Sequence, residues 1–413
     1  VLRSVRSFVA AALLLVGLGT WAGCDSKPAP ADLGGDAAVD PAADDAPFDP
    51  HAAAWAVPVP AAKSPVSLRN YQWIDEGAAS PGQTMLERAD TLKASGRYDL
   101  ARTAYELALK QDPAFAQAAY QLACNEALAG NADAARTAFE RAVELGYADY
   151  PIARADAELG ALREEAAFPD RLREIRRRYL KQAARRVGTP FYLTAADLPE
   201  AERPGSGPAP HAGGGAKPPV ILILHGTGDS HESYAREAMG WAELGWAAVA
   251  VPGSLPTANG GFLWPADEAT AYAAVDRQLR AILKDPGLGT VADVSRVVLM
   301  GFSQGANHAA ALTARHPDVY AGAVALSPAG RPTGAYDPAT LNGGAGLDAG
   351  RPRPVAMFLG DEEGGEALLA RWTAAAQSAG WPVWAEEFPG DRHFPRDWHA
   401  ERRAKVAAFL LGE

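Results

Sequence analysis

The sequence predicts a multidomain protein: an all-α array of helical repeats followed by an α/β domain, a mostly parallel sheet with helices on both faces. Two observations carry this reading. A block of the N-terminal half recurs after 34 residues, a period characteristic of stacked helix pairs. Beyond residue 190, short apolar runs alternate with helical stretches, which is the pattern of buried strands joined by crossover helices. The length of 413 residues accommodates two or three domains of roughly 100–200 residues each.

The first segment, 1–23, reads as an address. Arg3 and Arg6 precede an apolar run from Phe8 to Thr20, and the small residues Ala22 and Gly23 stand before Cys24. That run is too short to span a bilayer and suits an export signal. The sequence W-A-G-C resembles a bacterial lipobox, with Trp21 where Leu is usual. The resemblance implies cleavage before Cys24, lipidation of its thiol, and a lipoprotein held at a membrane surface of the bacterial cell envelope; plain secretion with Cys24 unmodified is the alternative. The second segment, 24–80, reads as a tether. Its residues 25–60 hold seven Asp and one Lys among Ala and Pro, too little apolar surface to fold. Acidic groups outnumber basic ones 50 to 39 over the whole chain, which argues against a nucleic-acid partner. Two cysteines, Cys24 and Cys124, exclude a disulfide framework and a Cys-rich zinc site.

The third segment, 81–182, carries the repeat. A-R-T-A-Y-E-L-A over 101–108 returns as A-R-T-A-F-E-R-A over 135–142, and the same shift brings Gly96 onto Gly130 and Tyr105 onto Phe139. These residues resemble the tetratricopeptide repeat over about 81–150. In that family Gly turns the chain between helices, Ala permits close approach and the aromatic fills the gap. Residues 151–180 lack the aligned Gly and Ala and read as a capping helix pair. The array could present a concave surface to a protein or peptide partner, or serve as a spacer or support for the domain that follows. Cys124, with no His or second Cys nearby in sequence, reads as a buried structural thiol.

The fourth segment, 183–413, holds the chemistry. Strands are expected at Val220–Leu224, Trp246–Val251, Val297–Met300, Ala323–Leu326, Val355–Leu359 and Val383–Phe388, with an outer strand at Phe191–Leu193; Ala269–Leu283 reads as a helix burying Tyr272, Val275, Leu279 and Ile282. Gly301-Phe302-Ser303-Gln304-Gly305 follows one of these strands and precedes a helix rich in small residues. A Ser forced into such a turn needs Gly on either side, and the turn presents its oxygen at the positive end of the helix. His225-Gly226-Thr227-Gly228-Asp229 follows the first buried strand, where the amides of Thr227 and Gln304 could hold an oxyanion; His225 reads as a prop for this loop. His393 lies in the loop after the last strand and is the candidate general base, ahead of His399, which enters the final helix. Phe262 and Trp264 either line an acyl pocket or pack beneath a neighbouring loop.

H-G-T-G-D and G-F-S-Q-G resemble the α/β-hydrolases, specifically the small carboxylesterase, phospholipase and acyl-protein thioesterase group, over about 190–413. The resemblance implies Ser303 as nucleophile, His393 as base and no metal or organic cofactor. The family's acid stands three residues after a Gly that ends the penultimate strand. Here Gly360 puts Glu363 at that register, and Asp361 is the nearer carboxylate of the usual type. The implied reaction is hydrolysis of a small-molecule or lipid-like ester or thioester through an acyl-enzyme. A serine peptidase or depsipeptidase would use the same residues, and a lipid-anchored adaptor on a catalytically silent scaffold is the non-enzymatic alternative.

Overall fold

Ala101, Ala104 and Ala108 lie on one helix face, and Ala135, Ala138 and Ala142 repeat the spacing; small side chains there let neighbouring helices approach closely. In the computed structural model, which describes residues 81–413 except 183–185, 199–216, 259, 266–268, 329–336, 340, 362–364 and 391–393, all six alanines are buried. Helices α1 (Pro81–Ala94) and α2 (Tyr98–Gln111) pack together, as do α3 (Ala116–Leu128) and α4 (Ala132–Glu144). Both first helices end in the same way. Gly96 and Gly130 take left-handed φ values of 74° and 79°. Arg97 and Asn131 then donate back five residues, to Leu92 O at 2.9 Å and Glu126 O at 2.8 Å. A residue with a Cβ pays a steric penalty at such a φ, so glycine closes both helices.

The expected capping pair is replaced by a broken path. Short helical pieces α5 (Tyr150–Ala155) and α6 (Gly160–Arg163) flank a 3₁₀ turn at Ala157–Leu159, and only α7 (Phe168–Gln182) is a long helix. The break has a local cause: Asp156 accepts from Glu158 N at 2.9 Å, ending one helix and starting the turn. Tyr147 stacks on Tyr120 at 4.2 Å and Phe168 on Phe139 at 5.3 Å, and these rings join the segment into one apolar cluster.

Beyond it, Val220-Ile-Leu-Ile-Leu has no polar residue to turn to water, so both faces must be covered. The strands, in chain order, are β1 (Phe191–Leu193), β2 (Pro219–Leu224), β3 (Ala247–Val251), the short pair β4 (Leu255–Pro256) and β5 (Phe262–Leu263), β6 (Asp293–Phe302), β7 (Tyr320–Leu326), β8 (Val355–Gly360) and β9 (Val383–Phe388). Seven form one sheet in the order β1-β3-β2-β6-β7-β8-β9. Only β1 runs antiparallel to its neighbour, and β4–β5 is a separate antiparallel hairpin. Every strand expected from sequence is present. The helices α8 (Ala235–Glu243), α9 (Ala269–Leu283), α10 (Pro286–Val291), α11 (Gln304–Arg315), α12 (Glu366–Ser378) and α13 (Arg403–Leu411) cover the sheet. α9 to α12 pack on one face, while α8 and α13 pack on the other. The strand order reverses between β2 and β6, and the carboxyl ends of the strands at such a reversal are the usual ligand position in sheets of this kind.

One buried ionic group fastens the chain end. Glu237 on α8 accepts from Trp241 Nε1 at 2.8 Å, Trp398 Nε1 at 3.0 Å and Arg403 Nη1 at 3.1 Å, with only 4% of the residue exposed. Removing one partner of such a pair leaves the other charge desolvated, at a cost of about 3–5 kcal/mol. Glu237→Ala is expected to lose that much stability in urea unfolding, and a loss below about 1 kcal/mol would contradict this role.

Candidate active site

The β6–α11 turn is set by two glycines without which it cannot close. A Cβ on Gly301 would sit 2.0 Å from Gly305 O, and one on Gly305 would sit 2.3 Å from Leu224 O. Between them Ser303 is held at φ 49°, ψ −115°, a left-handed conformation that costs a non-glycine residue of order 1–3 kcal/mol. Its amide donates to Leu326 O at 2.9 Å, which ties the strained residue to the end of β7. The side chain is half-buried at the N-cap of α11, where the helix dipole favours negative charge.

The turn after β2 meets it. A Cβ on Gly226 would lie 3.5 Å from Ser303 Cβ, so this backbone borders Ser303 directly. Among the described residues, neither the Thr227 nor the Gln304 amide N–H donates to another group. Two such donors are what a developing oxyanion needs.

His225 is fully buried and uses both ring nitrogens. Gly253 N donates to Nε2 at 2.7 Å, which makes Nδ1 the protonated nitrogen that donates to Gly226 O at 2.7 Å. Burial pushes its pKa down to about 3. It is therefore a neutral prop between two loops.

Phe262 and Trp264 are both buried, at 4% and 1% exposure, and pack beneath this turn where an open pocket wall was one expectation. Trp264 Nε1 donates to His225 O at 2.9 Å, and its ring faces those of His225 and His308. Gln304 contributes more than the amide that sequence reasoning assigned to it. Its Oε1 accepts from Trp264 N at 3.1 Å and its Nε2 donates to Trp264 O at 2.8 Å, clamping the β5 segment to the Ser303 turn. Nothing in the sequence signalled that bracket, because the partners lie 40 positions apart.

Of the other candidates, Asp361 and His399 are among the described residues. Asp361 directly follows β8; its carboxylate accepts from Gly390 N at 2.8 Å, and its amide donates to Phe388 O at 2.9 Å. It thus holds the start of the loop that carries the candidate base. Glu363 and His393 lie outside the described residues, as does Cys24. Phe394, which follows His393 in sequence, stacks on Phe302 at 5.1 Å, and Phe302 precedes Ser303. His399 is in the π-helical turn at Trp398–Arg402, with Nδ1 3.6 Å from the buried Glu237.

One described group could offer ligand atoms to a metal: Cys124, Asp156 and Glu158, in the helical segment. Its carboxylates already have donors. Lys93 Nζ lies 2.5 Å from Glu158 Oε2, and Tyr120 OH donates to Asp156 Oδ2 at 2.8 Å. Cys124 is buried, and desolvation pushes its thiol well up, which disfavours the thiolate that binds metals.

No protein-family model and no curated protein matches the sequence. Among solved structures, the chain is similar to an uncharacterised protein from Bacillus cereus, with 13% identity over 80% of this chain and 99% of that one and a TM-score of 0.39. It is also similar to a Bacillus cereus carboxylesterase, with 19% identity over 46% and 87% and a TM-score of 0.35. Arabidopsis thaliana SOBER1 shows 20% identity over 47% and 99%, again with a TM-score of 0.35.

Two neutral histidines make the site region acid-sensitive. His308 on α11 is fully buried, and burial pushes it, like His225, down to about 3. Each stays neutral when folded but takes up a proton in the unfolded chain below about pH 6.5. Stability is therefore lost as pH falls from about 6.5 toward 3, at about 1.4 kcal/mol per pH unit for each histidine. The slope of unfolding free energy between about pH 5.5 and 4 should fall by that amount in His308→Gln; an unchanged slope would contradict a neutral buried His308.

Proposed function

We propose that the chain is a serine hydrolase of carboxylic esters or thioesters, acting through an acyl-enzyme. The observation that carries this reading is Ser303 itself. It is held at φ 49° by its glycine neighbours, at the switch point of a mostly parallel sheet, beside two amides with no acceptor among the described residues. Ordinary packing does not require a strained polar residue at a crevice; a nucleophile does.

In the proposed reaction His393 takes the Ser303 proton as Oγ attacks the carbonyl carbon. The Thr227 and Gln304 amides hold the resulting oxyanion. His393 then returns the proton to the departing alkoxide or thiolate, and repeats the cycle with water to free the acid. The Phe394–Phe302 stack supports His393 in this role, because it brings the neighbouring residue to the nucleophile turn. Glu363 is the proposed acid. Asp361 accepts from Gly390 N, which gives that carboxylate a bracing task of its own.

Cys24 is the proposed lipid attachment point. The residues around Gly96, Gly130, Tyr105 and Phe139 support a tetratricopeptide reading of the helical segment, with a protein partner as a further proposal.

A fluorophosphonate probe and p-nitrophenyl esters test the reaction. Wild-type protein should label and turn over, and Ser303→Ala should do neither. Glu363→Ala should lower kcat by about 10²–10⁴-fold, far more than Asp361→Ala. Unlabelled, inactive wild-type protein would overturn the assignment, and the larger loss in Asp361→Ala would exchange the acids.

A further inference from the structure

The helical segment reaches the candidate oxyanion site through the β4–β5 hairpin. Asp149, at the N-cap of α5, is only 6% exposed and accepts from Ala258 N at 2.6 Å. Arg186, beyond α7, donates through Nη2 to Gly261 O at 2.8 Å and to Thr257 O. Its guanidinium lies over the Phe262 ring, 5.4 Å from the centroid. Both side chains thus seize backbone atoms of one hairpin loop, which positions it more firmly than contacts between flexible side chains would. Asp149 and Arg186 also attract each other electrostatically.

The opposite side of the hairpin is bonded to the turn that carries Thr227. Gly228 N donates to Phe262 O at 3.0 Å, and Phe262 N donates to Asp229 O at 2.8 Å. The backbones meet so closely that a Cβ on Gly261 would sit 1.9 Å from Gly228 O. One residue past β5, Trp264 grips the Gln304 side chain through its own N–H and C=O. The hairpin is therefore bonded to the Thr227 turn through backbone hydrogen bonds and to the Gln304 side chain through Trp264.

We propose that Asp149 and Arg186 are positioning residues for the oxyanion site: the helical segment, through Asp149, and the stretch that follows it, through Arg186, fix the hairpin, and the hairpin sets the Thr227 amide against that of Gln304. This rests on the serine-hydrolase reading. It gives the helical segment a part in the reaction beside any partner it binds. A displacement of about 1 Å in a catalytic group costs up to about 100-fold in rate, and loss of a whole oxyanion donor costs about 10²–10³-fold.

The test uses the full chain with Asp149→Ala, Asp149→Asn and Arg186→Met. The asparagine retains a carbonyl to accept from Ala258 N, and the methionine keeps an apolar stem over Phe262 without the donors. Asp149→Ala and Arg186→Met should lower kcat for p-nitrophenyl butyrate about 10–100-fold, leave KM within about 2-fold, and weaken a trifluoromethyl ketone inhibitor by the same factor as kcat. Such ketones form the tetrahedral adduct whose oxygen those amides would hold. Asp149→Asn should stay near wild type. Amide hydrogen exchange at Gly228 and Phe262 should accelerate in the two damaging variants alone.

Unchanged kcat, a change confined to KM, or equal losses in Asp149→Asn and Asp149→Ala would overturn the positioning role. Unchanged exchange at Gly228 and Phe262 would overturn it independently of activity. Wild-type protein inert to ester and fluorophosphonate alike would overturn the hydrolase reading, and the catalytic role with it, while the exchange measurement still reports whether the brace exists.

Discussion

The backbone approach on which the site depends lies where α11 begins. Gly305 passes so near the carbonyls of Leu224 and His225 that any side chain would overlap them. From that contact the remainder follows mechanically. The strand-to-helix turn must be tight, Ser303 must take φ 49° to make it, and the side chain must then stand clear of the sheet at the head of a helix. The strain, of order 1–3 kcal/mol, is held in place by the core on both sides: β6 is buried from Val297 to Met300, and α11 is buried through Ala314. A protein with loosely packed strands there could relax the turn; this one cannot.

Around Ser303 the polar groups divide into fixed and available ones. His225, Trp264 and the Gln304 side chain are saturated with mutual or backbone hydrogen bonds, and His225 carries no charge near neutral pH. Among the described residues the amides of Thr227 and Gln304 donate to no other group. Rigid neutral supports around unclaimed donors are what electrostatic preorganisation means physically: nothing has to turn when charge develops. The buried Glu237 group performs a comparable task at the chain end, where Trp398 links it to the ring of Phe394.

Much of this was legible from residue order alone. Runs such as Val220–Leu224 admit one solution, a strand covered on both faces, and the Gly-x-Ser-x-Gly turn could be read because its steric demand is local. Long-range polar contacts were not legible. Glu237 finds Trp398 161 positions away and Asp149 finds Ala258 109 positions away, and neither end carries a pattern that announces the other. The β4–β5 hairpin escaped for a different reason. Each strand is two residues long and one contains Pro256, so no alternation exists to read. The helical break at Asp156 was hidden because a single side chain capping its own turn leaves no period.

The central claim is that Ser303 attacks a carbonyl whose oxygen is received by the Thr227 and Gln304 amides. A crystal structure of the protein inactivated by an alkyl fluorophosphonate tests it most directly, since the phosphonyl oxygen occupies the oxyanion position of the tetrahedral intermediate. The account predicts phosphorus bonded to Ser303 Oγ, with that oxygen about 2.7–3.1 Å from both amide nitrogens. Phosphorus on another residue, or an oxygen turned away from either amide, would contradict it.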